Sequence, residues 1–192
     1  AGYDILFLSR TLGPRQMTYL DHCDYRNVDG VLILNPVPGD AEVAKLVNCG
    51  RPCVSSNEPF PGICTVVTEN VKAAEEAVQY LIDLGHERIA YVSGPRNITA
   101  PAAIERFQGY KACLARNGIA FDESLVEDGL FWHSDAGYEA TKRLLARTKD
   151  FTAVFAANDT LACGVKIAFE EAGISIPQDM SLMGFDGDDL GL

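Results

Sequence analysis

The chain has 192 residues, 47% of them hydrophobic and 22% charged, which is the balance of a folded globular protein with room for one or two domains. Its formal net charge is −11, and its lysines and arginines are scattered, so it is a poor nucleic-acid binder by itself. No run of about 18 apolar residues marks a membrane span, and no basic-then-apolar start marks a signal peptide.

Residues 3–8 are an apolar, strand-like run, and a weaker pattern over 11–26 suggests a helix. Asp29-Gly30 lead into Val31-Leu32-Ile33-Leu34, and Asn35-Pro36 stop the run, which predicts a strand over 28–34. A short helix over 40–48 places Val43, Leu46 and Val47 inward. Short strands follow at 52–54, ending in Ser55-Ser56-Asn57, and at 63–67, ending in Thr68-Glu69-Asn70. Residues 71–84 form a helix with Ala74, Ala77, Val78, Leu81 and Ile82 on one face, stopped by Gly85.

A strand over 88–93 breaks at Gly94-Pro95. The next helix, over 102–116, turns Ile104, Phe107, Tyr110 and Leu114 inward. A weak strand over 125–130 ends in Phe131-Trp132-His133, and Ser134 or Asp135 caps a helix running to about Arg147. Ala153 to Ala157 is an apolar run that stops at Asn158-Asp159, residues suited to cap the following helix, and Gly173 and Pro177 end that helix in the usual order. The last strand covers 180–185 and ends at Asp186-Gly187-Asp188-Asp189.

Strands alternating with helices of this length predict an α/β fold of parallel strands joined by right-handed crossovers, with helices on both sheet faces. The weakest pattern lies at 94–103, with Gly94, Pro95 and Pro101, so the expected division is 1–96 and 97–192.

Polar or aromatic residues gather at the strand ends: Asn57, Glu69-Asn70, Ser93, Phe131-Trp132, Asn158-Asp159 and Asp186. Open α/β sheets bind ligands at such ends, so two doubly wound halves facing each other would line one cleft with these groups. Asp, Asn and Arg pair with ligand hydroxyls, and an aromatic ring covers their apolar faces, which favours a sugar-like molecule. Trp132, the single tryptophan, either stacks on a ligand or plugs its own loop. Arg106, one turn into its helix, either donates to a ligand or pairs with Glu105 or Asp122 in solvent.

Catalysis is not expected. There is no GxGxxG after a strand, no GxxxxGK[ST], no GxSxG and no HExxH. The three histidines are dispersed, and His86 reads as a polar helix C-cap. The six cysteines form no CxxC pair and read as reduced core residues of a cytoplasmic protein, so neither metal nor cofactor is expected.

Several segments together carry a family likeness. Leu84-Gly85-His86-Glu87-Arg88-Ile89-Ala90-Tyr91-Val92-Ser93-Gly94-Pro95 resembles the matching segment of LacI/GalR-type transcriptional regulators. So do Val28-Asp29-Gly30-Val31, Arg106-Phe107-Gln108-Gly109-Tyr110, Ala136-Gly137-Tyr138-Glu139-Ala140, Ala156-Ala157-Asn158-Asp159 and Gly184-Phe185-Asp186, in the family's order and spacing.

The resemblance implies two doubly wound parallel-sheet lobes of the periplasmic binding protein-like type, incomplete at both termini. It implies an effector site of Asn57, Glu69, Arg106, Trp132, Asn158 and Asp186, with Asn57 and Glu69 departing from the family's usual residues. It further implies a cytoplasmic homodimer that senses a small sugar-like effector. DNA would be read only through an N-terminal helix-turn-helix that this chain lacks. A transport-type solute-binding protein is the alternative on the same fold.

Overall fold

The computed structural model describes residues 2–8, 11–12, 15–37, 39–96 and 100–188. They form two compact units, Ala1–Thr68 and Glu69–Leu192.

In the first unit, β1 (Thr11–Leu12) pairs antiparallel with β2 (Arg15–Gln16), and α1 follows at Tyr19–Arg26. A reciprocal cap starts α1: the Asp21 amide donates to Thr18 Oγ1 at 3.0 Å, and the Thr18 amide to Asp21 Oδ2 at 3.3 Å. The helix expected over 11–26 is therefore shorter, because the paired strands β1 and β2 take up its first part. Next come β3 (Val31–Leu34), α2 (Ala41–Val47), β4 (Cys53–Ser56) and β5 (Cys64–Val66). Asp40 caps α2 by accepting from the Glu42 amide at 2.8 Å, and Val43 and Leu46 are buried beneath it.

The three strands form a parallel sheet in the order β3-β4-β5. Residues 3–8, expected as a strand, pair with nothing in this sheet, and 2–7 are exposed. An apolar run becomes a strand only where a ladder partner exists, and no strand among the described residues offers one.

The second unit opens with α3 (Asn70–Asp83) and β6 (Ile89–Ser93). It continues with α4 (Pro101–Arg116), β7 (Val126–Asp128) and α5 (Ser134–Arg147). It closes with β8 (Ala153–Ala156), α6 (Asp159–Glu171) and β9 (Ser181–Met183). The sheet order is β7-β6-β8-β9, all parallel. From β6 the chain steps outward to β7, then back across to β8. Right-handed crossovers therefore place α4 on one face and α5 and α6 on the other, the doubly wound arrangement expected.

Residues of β6 and β8 are wholly buried, and Tyr91, Tyr110 and Phe107 stack beneath α4. On the other face α5 and α6 approach backbone to backbone: a Cβ on Gly137 or Gly164 would collide with the main chain of the facing helix.

The division between units falls at Thr68/Glu69, not at 94–103. Gly94-Pro95 end a strand that pairs inside the second unit's sheet, so their composition marks a strand-end loop rather than a linker. Residues 97–99 of that stretch, and Asp189 beyond the last strand, lie outside the described residues.

Candidate functional site

The reversal of winding in the second unit opens a switch point between the carboxyl ends of β6 and β8, where the loops leave toward opposite faces. Two backbone bonds hold the strand ends there: the Ala157 amide donates to the Val92 carbonyl, and the Gly129 amide to the Ser93 carbonyl, both at 2.8 Å. Arg106 fills this point.

The Arg106 side chain is only 10% exposed, although α4 looks amphipathic in the ordinary way. The helix buries Ala103, Arg106, Tyr110 and Cys113, so the arginine sits on the apolar stripe itself, while Ile104 and Phe107 lie at its margin. Its fork is fully used. Nε donates to Asn70 Oδ1 at 2.9 Å, Nη1 to the Ala157 carbonyl at 2.5 Å, and Nη2 pairs with Asp186 Oδ1 at 3.3 Å. The Phe185 ring lies 3.7 Å from the guanidinium carbon and the Trp132 ring 5.7 Å from it. Arg106 thus pairs with neither Glu105 nor Asp122; Glu105 instead accepts from Asn70, and Asp122 from Arg88.

Burial dominates the electrostatics. It lowers the Arg106 pKa from its ordinary value, with the Asp186 charge opposing the change. It likewise raises the Asp186 carboxyl, and Arg106 offsets this only in part because Asp159 and Asp188 stand nearby. Asp186 also has a left-handed backbone, φ 109°, where a β-carbon is strained. Asp159 holds the loop in that shape: its Oδ2 accepts from the Gly187 amide at 2.8 Å and the Asp188 amide at 2.7 Å.

Trp132 is half-buried and lies across Gly94, where a Cβ would stand 2.5 Å from the ring. Glycine at the end of β6 is what lets the indole approach the switch point. Asn158 caps α6, its Oδ1 accepting from the Leu161 amide at 2.8 Å, while its Nδ2 lies 3.4 Å from the Trp132 carbonyl. The structure thus brings Arg106, Trp132, Asn158 and Asp186 to one place.

The other two named residues sit differently. Glu69 is exposed at the head of α3, and its side chain makes no cap bond. Its neighbour Asn70 is the residue turned toward Arg106. The signal was present in the sequence: Asn70, Ala74, Val78 and Leu81 fall at helical spacing on one buried stripe, and Glu69 does not. Asp159, which reads with Asn158 at the end of β8, is a second residue outside the expected effector set, and it holds the Asp186 loop. Asn57 belongs to the first unit, at the carboxyl end of β4, with φ 70° and its Nδ2 donating to Asn35 Oδ1 at 2.9 Å.

Some smaller expectations change as well. His86 caps the end of α3 through its amide, which donates to the Leu81 carbonyl at 3.1 Å, and not through its side chain. Its two ring nitrogens lie 2.8 Å from Thr152 Oγ1 and 2.9 Å from Ser181 Oγ, which ties the starts of β8 and β9 together. His133, rather than Ser134 or Asp135, occupies the N-cap position of α5, without a side-chain cap bond, and stacks on Phe131 with centroids 5.2 Å apart. The cysteines are all free, but only Cys23 and Cys113 are core residues; Cys49 and Cys64 are exposed. Among the described residues no cluster of His, Cys, Asp or Glu fits a metal, and no helix is long and apolar enough to cross a membrane.

A site of this geometry, at the switch point of a doubly wound sheet, agrees with what the chain resembles. The family model for a periplasmic binding protein-like domain matches residues 78–191, more than half of the chain. The chain belongs to the periplasmic binding protein-like domain family. Its relatives include the HTH-type transcriptional regulator CelR of Thermobifida fusca, 34% identical over 165 residues, which are 84% of this chain and 48% of the relative. The HTH-type transcriptional repressor CytR of Escherichia coli K12 is 35% identical over 179 residues, 92% of this chain and 51% of the relative.

Among solved structures, a CelR–cellobiose complex superimposes with a TM-score of 0.74 at 33% identity, covering 88% of this chain and 52% of that one. A LacI-family regulator from Enterococcus faecium with bound ribose gives 0.75 at 33% identity, covering 89% and 63%. These family members are regulators rather than enzymes, and the chain spans about half the length of the curated relatives it matches.

Proposed function

We propose that this chain is the ligand-sensing part of a bacterial LacI-type transcriptional regulator and that it binds a small sugar-like effector at the strand ends of its second unit. The observation that carries the reading is Arg106, buried at the switch point with every arm of its fork engaged. A cation is costly to bury, and this one positions an acceptor, Asp186, whose side chain is still 36% exposed.

Asp186 accepts from a ligand hydroxyl, and Trp132 covers the apolar face of a sugar ring. Asn158 adds a donor. Asn57, at the carboxyl end of its own sheet, is the first unit's candidate contact, and Glu69 is a further candidate by likeness to the family. The cellobiose and ribose seen in relatives make sugars the first class to test.

The effector acts by its difference in affinity for two conformations of the regulator. DNA is then read by another part of the intact protein, in a cytoplasmic homodimer, and the sensor itself neither turns over its ligand nor uses a cofactor. The transport-type reading loses its support, because the named relatives are regulators.

A thermal-shift screen of mono- and disaccharides tests the proposal. A binder at a hundred times its dissociation constant adds about 2.7 kcal/mol of stability. Arg106→Met and Asp186→Asn remove the shift if the site is correctly assigned; a shift that persists in both refutes the assignment.

A further inference from the structure

The first unit carries a thiol cluster that effector binding does not use. Cys49 follows the last turn of α2, and Cys53 opens β4, with Gly50-Arg51-Pro52 between them. The Leu46 carbonyl lies beside both residues: it takes the main-chain amide of Cys49 at 3.3 Å and stands 3.9 Å from Cys53 Sγ. Cys23, in the middle of α1, shares the same electrostatic neighbourhood, as does Arg51.

One arm of Arg51 pairs with Asp24 at 3.0 Å, while its Nη1 is buried and has no acceptor. The thiols differ in access: Cys49 is exposed, Cys53 half-buried and Cys23 fully buried.

We propose that Cys49 and Cys53 form a peroxide-oxidisable dithiol, an oxidative modification site in the first unit. In the first step the Cys49 thiolate sulfur attacks one oxygen of hydrogen peroxide. The O–O bond breaks, the electron pair leaves on hydroxide, and protonation gives water. Sulfur is oxidised by two electrons to the sulfenic acid, and the peroxide is reduced. The positive charge of Arg51, which Cys49 feels, favours a departing hydroxide.

In the second step Cys53 sulfur attacks Cys49 sulfur. The S–O bond breaks, and hydroxide leaves with the Cys53 proton as a second water, so the disulfide forms without a further reagent. Burial pushes the Cys53 and Cys23 thiols up from their ordinary values, which leaves the first attack to the exposed Cys49. The ring closed is short, and a Gly-Arg-Pro turn already folds the chain back.

Cys64 provides an internal control, because it too is exposed and lies in none of these contacts. The chain is treated with hydrogen peroxide and mapped by peptide mass spectrometry. The expected product is lighter by two hydrogens and carries a Cys49–Cys53 link, formed before Cys64 is modified. In Cys53→Ser, Cys49 stops at a sulfenic acid that a cyclic-diketone probe captures; in Cys49→Ser, Cys53 is not captured. Oxidation of Cys64 at the same rate as Cys49, or a link through Cys23 in place of Cys53, overturns the proposal.

Discussion

The two parallel sheets among the described residues are spelled in equally apolar strands, yet they are covered differently. In the second unit β6 and β8 are buried on both faces, with α4 on one side and α5 and α6 on the other. In the first unit burial alternates along β3. Leu32 is 63% exposed and Leu34 59%, and the parallel register lines them up with Val54 and Cys64 and with Ser56 and Val66 on the same bare face. A parallel sheet stabilises itself by covering both faces, so the second unit is the self-sufficient half. It also holds the buried charged cluster, which only a rigid, water-excluding surround can position.

Substitutions in either unit test this difference in covering. The largest effect is expected at the α5–α6 contact. In Gly164→Val the new side chain meets the Ser134 carbonyl and the Tyr138 amide, and the unfolding free energy falls by about 3 kcal/mol, read as a lower urea midpoint. Arg106→Met removes the Nε donor to Asn70 and the charge that pairs with the half-buried Asp186, and lowers stability by about 2 kcal/mol in the same assay.

Leu34→Thr on the bare face of the first sheet changes stability by no more than about 0.5 kcal/mol. A cost of several kcal/mol there shows that the face is covered in solution, and the contrast between the units fails.

The strand-and-helix alternation was legible because period and punctuation agree along most of the chain. Residues 3–8 show where that logic stops: their composition is that of a strand, but pairing depends on a neighbour and not on the run itself. Gly94-Pro95 misled in the opposite way, since breakers mark loops at strand ends as readily as they mark linkers. Arg106, Trp132, Asn158 and Asp186 were legible because they stand at strand ends or one turn into a helix. Asn70 reads at the same strand end as Glu69 but is absent from the expected effector set, although the helical stripe distinguishes the two. The role of Asp159 depends on a loop conformation that no spacing records, namely the left-handed backbone of Asp186.

The smallest effect is on pH dependence. Burial raises the Asp186 carboxyl in the folded state above the unfolded value of about 3.9. As pH falls from neutral through this raised value, the native protein takes up the proton before the unfolded chain does. Stability from this group therefore rises with acidification across that window, while effector affinity falls because the charged acceptor is lost. Calorimetric titrations between neutral pH and the ordinary carboxylate range read both trends, and Asp186→Asn flattens them.

Trp132 is the only tryptophan, so its emission reports the candidate site without a label. The most direct test is a fluorescence titration with the best sugar from the thermal screen, set beside calorimetry on the wild type and on Trp132→Ala. The emission is expected to change along a saturable curve with the calorimetric affinity, and the alanine variant to bind markedly more weakly. A sugar that binds Trp132→Ala as tightly as the wild type, leaving the wild-type emission unmoved, contradicts an effector site at these strand ends.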